Sequence, residues 1–330
     1  MTNLTSEEFH MSTEFTHDVA VIGGGAAGLS AAVALARSLR SVVVIDAGEP
    51  RNAPSHAAHN VLGREGISPL ELVASGRREA EQYGAEFRDG RAVAARRIEG
   101  GFEVEYDGGA SVRVRRLLLA TGLIDELPDI PGVKEHWGQS VLHCPYCHGW
   151  EVRGQRIGVL GTSDHNIHQA FLFRQLSEDV MLFLNSMPEP EDAAWEQLAA
   201  LDINVVRGKV ERLRGEDDAV RAVVLEDGNE YQVDAVVVAP CFIAQADLYE
   251  QLGGTLTEMP LGRFIEAGPM GETKIPGVWA AGNLSNLGSM VASAAGAGVL
   301  AGAAINADLV NEDTRAAVRA RADAAVANQG

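Results

Sequence analysis

Two cysteines two residues apart, Cys144 and Cys147, are flanked by His143 and His148 in the run His-Cys-Pro-Tyr-Cys-His. Thiols at that spacing can close a disulfide locally, and a helix starting beneath them would lower the pKa of one thiol. Histidines beside them can carry protons near neutral pH. The same four side chains are also zinc-ligand types, and His165 and His168 follow. A structural zinc wants a second ligand pair at its own spacing, and the chain has no second CxxC. Redox chemistry is therefore the stronger reading, and no metal is expected. Cys241, in Ala-Pro-Cys-Phe-Ile at the end of a valine-rich run, reads as a buried small hydrophobe. Three cysteines in 330 residues do not make a secreted disulfide framework.

A reactive pair needs elements to position it and a partner for its electrons. Val19 to Ile22 is a short apolar run suited to a buried parallel strand. Ala26 to Arg37 has a helical period, and Val42 to Ile45 is a second strand ending on Asp46. Gly23, Gly25 and Gly28 stand between strand and helix as GxGxxG. Glycines alone would be weak evidence. With the strand before, the helix after and an acid about 20 residues on, they complete a dinucleotide-binding fingerprint. Gly23 permits the tight turn, Gly25 lets backbone approach a pyrophosphate, and Gly28 lets helix and strand pack closely. The helix start at Ala26 and Ala27 offers free N–H groups to phosphates, and Asp46 would accept hydrogen bonds from a ribose.

Two further strand-to-turn segments follow. LLLATG at 117–122 ends in Ala120, Thr121 and Gly122, and GVWAAGN at 277–283 ends in Gly282 and Asn283 before a long small-residue helix. This combination resembles the two-dinucleotide-fold flavoproteins. The resemblance implies FAD, with Gly282 and Asn283 at the ribityl and phosphate groups. It also implies that the helix start at Met290 and Val291 points toward the isoalloxazine. Such proteins usually carry Asp where Asn283 stands; Asn still bonds a hydroxyl and removes one negative charge. Fingerprint, ATG, CxxC and AG(D/N), in that order over nearly the whole chain, resemble the low-molecular-weight thioredoxin reductases.

Within that superfamily the sequence is similar to the dithiol-oxidase branch, the gliotoxin and holomycin disulfide-forming enzymes. The run CPYCHGWE, with His148 where thioredoxin reductases commonly have Asp, carries this likeness, as does GEPRNAPSHAAHN from Gly48 to Asn60. The resemblance implies that Cys147 faces the flavin C4a and that Cys144 exchanges with substrate. It places the stretch ending at Asn60 near the flavin, where Arg51, Asn52 and Asn60 are candidate cofactor contacts. A turn role for Pro50-Arg51-Asn52 competes. His56 and His59 read equally as solvated loop residues, and Trp137 and Trp150 bracket the cysteines as mouth or packing residues. His148 is the candidate general base for a substrate thiol, ahead of His143, because an imidazole accepts a proton at pH 7 where an ordinary Asp does not.

A second Rossmann-like unit follows the cysteines, with strands Ile157 to Leu160 and Val180 to Leu184. Its turn reads Gly161-Thr162-Ser163-Asp164-His165-Asn166 and keeps only the first glycine. Ser163 carries a Cβ where a pyrophosphate needs close approach, and Asp164 adds a negative charge. Past the second strand, 185–192 holds three acids and no Arg or Lys, unsuited to a 2′-phosphate. NADPH is thus disfavoured as electron source, and the electrons are expected to come from a small-molecule dithiol, with O2 as acceptor giving H2O2. A reductase fed by NADPH or another donor is the runner-up, and a non-catalytic redox sensor a third class.

The fold class expected is α/β, two Rossmann-like dinucleotide folds with the second inserted into the first. The FAD domain spans 12–128 and 244–330, and the inserted domain carrying CxxC spans 129–243. The hydrophobic share of 46% suffices for two cores. A net charge of −19 argues against a nucleic-acid partner. No apolar run reaches the roughly 18 to 20 residues of a membrane span; 291–305 reads as a buried helix, and the tail from Arg315 as a surface helix or frayed end. The polar, acidic start lacks a signal-peptide pattern, so a cytoplasmic protein is expected, and the resemblance implies a homodimer.

Overall fold

The computed structural model describes residues 14–327; the first thirteen residues, which hold most of the segment read as lacking a signal pattern, and both outer domain limits, 12 and 330, lie outside the described residues. Apolar runs without alternation need cover on both faces, and β1 (His17–Ile22) and β2 (Val42–Asp46), paired in parallel, get it from two cores: Ala20, Ile22, Val43 and Ile45 enter one, Val19, Val21, Val42 and Val44 the other. That sheet has the order β3-β2-β1-β6-β5-β4, with β3 Glu86–Asp89, β4 Ala92–Ile98, β5 Gly101–Tyr106 and β6 Ala110–Leu119; β19 (Val278–Ala280) pairs with β6. Helix α1 (Ala26–Arg37) joins β1 to β2, and α2 (Pro69–Gln82) precedes β3.

The chain leaves this sheet through β7 (Leu123–Glu126) and returns through β16 (Cys241–Ala244), and these two strands pair antiparallel. With β17 (Thr257–Met259) and β18 (Gly262–Phe264) they form a small sheet. Between the crossings lies a second parallel sheet of order β11-β10-β9-β15-β8, namely Asn204–Val206, Val180–Phe183, Ile157–Leu160, Ala235–Val237 and Val141–Leu142. Helices α3 (Pro145–His148), α4 (His165–Arg174) and α5 (Asp192–Ala200) serve it. An antiparallel ribbon of β12 (Val210–Glu216), β13 (Ala219–Leu225) and β14 (Glu230–Gln232) is attached. Short α6 (Asp247–Gln251) follows the return strand. One nucleotide fold therefore sits inside the other, as the order of motifs implied.

The last helix, α7 (Val291–Ala327), runs unbroken through the tail beyond Arg315. By length and composition it is apolar enough to cross a membrane. Its buried side, including Ala294, Gly298, Ala301, Gly302 and Ile305, packs against the first sheet and α1. The fit against α1 is close: a Cβ at Gly298 would collide with the Ala27 backbone, and one at Gly302 would stand 3.1 Å from the Ala31 carbonyl oxygen. Beyond this face Arg115 and Arg116 anchor the helix to Asp308, Glu312 and Asp313. Cys241 departs from the expectation of burial. Pro240 separates it from the valine-rich strand, and it opens β16 with an exposed thiol.

Because α1 carries the glycine turn, its seat on α7 sets the turn's position. Gly298→Ala should lower stability by about 1–3 kcal/mol through overpacking against Ala27. Gly302→Ala should cost less. Thermal unfolding of both variants checks this; an unchanged melting temperature for Gly298→Ala would contradict the packing.

Candidate active site

The first glycine turn has the geometry its residue types dictate. Gly23 has φ +106°, a left-handed conformation that favours glycine, and a Cβ there would meet the Ala120 backbone. Gly28 carries its helix against the Gly23 carbonyl, where a Cβ has no room. A Cβ on Gly25 would meet nothing within 4 Å, so the space above it is open. Helix α1 starts there with no side-chain cap, leaving the N–H groups of its first turn, Ala26 and Ala27 among them, for a ligand. Gly24 was not singled out in the sequence. Its N–H donates to Asp46 Oδ1 at 2.8 Å, and a Cβ at Gly24 would lie 2.7 Å from that carboxylate. Asp46 is thus fixed by the turn itself, with Oδ2 uncommitted among the described residues.

From this turn a cavity of about 1400 Å³ runs to the cysteine pair. Ligand pockets commonly measure about 300–1,000 Å³, so it has room for a dinucleotide and a second molecule. Its walls include Gly23, Gly25, Ala26, Ala27 and Asp46 at one end and Cys144, Cys147 and His148 at the other. Ala120, Thr121 and Gly122 line it, as do Gly282, Asn283, Met290 and Val291. Thr121 is locked by Gln245: Oγ1 donates to the Gln245 carbonyl at 2.6 Å and Gln245 Nε2 returns a bond at 2.8 Å. Asn283 Nδ2 donates to the Ser289 carbonyl at 2.9 Å and to that of Leu287 at 3.2 Å, shaping the turn into α7. An amide can make those bonds where a carboxylate would be repelled.

Arg51 and Asn52 also line the cavity. Arg51 forms a bidentate pair with Asp125 at 2.6 and 2.7 Å and lies over the Phe242 ring. Part of its donor fork is therefore spent inside the protein, and three of its five N–H groups remain. Gly28 does not line the cavity; it packs against Gly23 and Val21 instead. Asn60 is directed elsewhere, with Nδ2 donating to the Tyr146 carbonyl at 2.8 Å. The residue stands at φ +59°, which asparagine tolerates.

Cys144 caps the single-turn helix α3, Pro145 holds its first position, and Cys144 and Cys147 form a disulfide with Cα atoms 5.3 Å apart. One turn carries little dipole, so helix electrostatics can depress a thiol only weakly here. The loop from Arg51 to Ile67 holds α3 at two points and the turn after it at a third. Asn60 takes the Tyr146 carbonyl, and Ser55 Oγ lies 2.7 Å from His148 Nε2. His59 bridges two carboxylates, Glu65 at 2.7 Å and Glu151 at 3.4 Å. His59 is thus a bridging residue and not a solvated one. Ser55 had no signal in the sequence, being 93 positions from its partner.

The two flanking histidines differ. Burial holds His148 below the usual imidazole range; Glu151 opposes this and the nearby His59 and His56 add to it. The ring is neutral at pH 7 and able to accept a proton. His143 stacks on Trp137 at 5.7 Å and meets Phe242 edge-on, and burial followed by the Arg51 charge pushes it down to about 4. It stays neutral throughout the physiological range and is poorly placed as a proton carrier. Trp137 lines the cavity, whereas Trp150 is 67% exposed beneath the Arg153 guanidinium.

The second glycine turn is closed from within. Fully buried Asn166 turns its Oδ1 back to accept from the N–H groups of Thr162 at 2.9 Å and Ser163 at 3.0 Å. These are the donors a pyrophosphate would need. A Cβ on Gly161 would stand 2.6 Å from Met187 Sδ, so the loop after β10 fills the approach. Glu189, in the acidic segment 185–192, pairs with Arg207 at 2.6 Å, which commits that nearby cation. Asn166 Nδ2 then bonds Gln169, whose Nε2 donates to the His143 carbonyl at 3.0 Å. The closed turn is thereby tied to the residue preceding Cys144.

The pyridine nucleotide-disulphide oxidoreductase family description matches residues 17–298. Thioredoxin reductase tcpT of Claviceps purpurea is 34% identical over 317 residues, 91% of this chain and 97% of that protein. Thioredoxin reductase sirT of Leptosphaeria maculans is 30% identical over 317 residues, 91% of this chain and 96% of its own length. Among solved structures, HlmI superposes with a TM-score of 0.88 at 44% identity, covering 92% of this chain and 96% of that one.

His143 gives a pH prediction. Between pH about 6.5 and about 4 the unfolded chain binds a proton that the folded chain refuses, so this residue makes stability fall as pH falls through that window. His143→Phe should flatten that part of the curve. Melting temperatures at pH 4.5 and 7 for both proteins test it; an equal slope in both would contradict the assignment.

Proposed function

The chain belongs to the pyridine nucleotide-disulphide oxidoreductase family, as a thioredoxin-reductase-like oxidoreductase, and from that premise we propose that it is an FAD-dependent dithiol oxidase. It converts a small-molecule dithiol into an intramolecular disulfide, with O2 as final acceptor and H2O2 as product. The observation that carries this is the contrast between the two turns. The cysteine pair opens on a large cavity, while the turn that would admit a nicotinamide nucleotide is occupied by Asn166. The proposal includes a homodimer, on the thioredoxin-reductase resemblance alone, and a reducing, cytoplasmic setting, in keeping with a chain of only three cysteines.

The first turn fits FAD: open space above Gly25, uncapped N–H groups at Ala26 and Ala27, and the Asp46 carboxylate for a ribose. Gly282, Asn283, Met290 and Val291 would hold its far end beside the cysteines. FAD, when bound, supplies the two-electron acceptor that restores the cysteine disulfide and passes the pair to O2.

The protein's own residues perform the exchange. A substrate thiolate attacks Cys144 Sγ, and the Cys144–Cys147 bond breaks with its electron pair going to Cys147. The second substrate thiolate attacks the substrate sulfur of the mixed disulfide, closing the product and releasing Cys144 as a thiolate. The dithiol loses two protons in doing so. A free thiol with pKa near 8.5 is only a few per cent ionised at pH 7, so a base beside Cys144 speeds the attack. His148 is that base, neutral and within the same cavity. The exposed Tyr146 side chain lines the cavity where a small dithiol would enter.

An oxygen electrode with dithiothreitol as substrate tests the reaction. One O2 should be consumed and one H2O2 formed per disulfide. Cys144→Ser and Cys147→Ser should each lose at least about 10³-fold, because the two thiols act as one unit. Full turnover in either variant would overturn the proposal.

A further inference from the structure

The neighbourhood of His148 determines which ring nitrogen is available. Ser55 Oγ lies 2.7 Å from His148 Nε2 and 2.8 Å from the Ala57 carbonyl oxygen. A carbonyl only accepts, and a serine has one proton to give. The hydroxyl therefore donates to Ala57, and its lone pair receives the Nε2–H of His148. We propose that Ser55 is a positioning residue that holds His148 in the Nε2–H form and presents Nδ1 to the substrate thiol. This rests on the reading of His148 as the base and names the atom that acts.

The geometry around Ser55 suits a fixed support. Pro54 packs on Gly138, where a Cβ would stand 2.8 Å from the proline Cβ, and Gly138 has φ +79°. Ser55 N–H donates to the Asn52 carbonyl at 3.0 Å, and the Ala58 N–H to that of Ile67 at 2.8 Å, so the loop is closed on itself. Among the described residues His148 Nδ1 has no hydrogen-bond partner. The titratable groups near the ring are Glu151 on the turn after α3, His56 and His59 on the loop, and His143 before Cys144, which His148 in turn influences. Glu151 is itself bridged by His59, which keeps that carboxylate beside the ring without a direct bond to it.

The step balances simply. The substrate S–H bond breaks, its electron pair stays on sulfur, and the proton goes to Nδ1. The resulting imidazolium still donates through Nε2–H to Ser55, so Ser55 serves both protonation states without moving. The added proton then leaves to water at the open mouth. Without the hydroxyl, the ring can turn over and place a carbon where Nδ1 had been.

The test uses the FAD-loaded protein with imidazole-¹⁵N-labelled histidine, and stopped-flow flavin reduction by dithiothreitol at pH 7 and pH 9. Wild type should show the Nε2–H form at His148; an Nδ1–H ring would overturn the proposal. Ser55→Ala should reduce the flavin about tenfold more slowly at pH 7 and near the wild-type rate at pH 9, where thiols ionise unaided. Ser55→Thr, which keeps the hydroxyl, should stay within about twofold at both pH values. An undiminished rate in Ser55→Ala at pH 7, or an equal loss at both pH values, would overturn the positioning role. His148→Ala separates this from the underlying reading. If it too keeps the wild-type rate at pH 7, the base assignment itself fails. If it is slow while Ser55→Ala is fast, only the role of Ser55 fails.

Discussion

Backbone N–H groups at the turn between a parallel strand and its helix must find an acceptor, and this chain meets that demand in two different ways. After β1 the turn leaves its helix uncapped and the space above Gly25 open, so its N–H groups are free to take an acceptor from outside the chain. After β9 the corresponding groups, Thr162 and Ser163, are satisfied by Asn166 from the same helix. Unpaired buried donors cost about 1–3 kcal/mol each, so a nucleotide at the second turn would first have to displace a satisfied side chain. The second fold keeps its shape through β9, β10 and β15 while its turn serves as structure.

The retained second fold has work of its own. Its Asn166–Gln169 chain ends on the His143 carbonyl, and His143 is wedged beside Trp137 and Phe242. From the other side, the Arg51–Ile67 loop reaches α3 through Ser55 and Asn60, and the turn after it through His59. A one-turn helix is not stable alone. It is held between the two domains by partners with little freedom to move, and the same contacts orient the imidazole that follows Cys147.

Much of this arrangement was legible in the sequence where local rules act. The limits of α1 at Ala26 and Arg37 and of β9 at Ile157 and Leu160 follow from apolar period and glycine placement. The cavity gathers the turns at Gly23, Ala120 and Gly282 because each ends a parallel strand at the same edge of the sheet. What escaped depends on side chains turning back or meeting across the fold. Asn166 lies within four residues of the donors it caps, yet an asparagine early in a helix has several uses and only its rotamer tells them apart. Ser55 and Asp125 gain their roles from partners 93 and 74 positions away, which no local pattern encodes. Cys241 was placed in the core by its valine-rich neighbours, whereas Pro240 starts a new strand with the thiol outside.

The most direct measurement is anaerobic: FAD-loaded protein is mixed in parallel with dithiothreitol, NADPH and NADH, and the flavin absorbance is followed. If the second turn is closed and electrons enter through Cys144, the dithiol bleaches the flavin within a turnover time while both nicotinamides leave it oxidised over the same interval. Bleaching by NADPH at micromolar concentration as fast as by the dithiol, or no bleaching by the dithiol, would contradict the account.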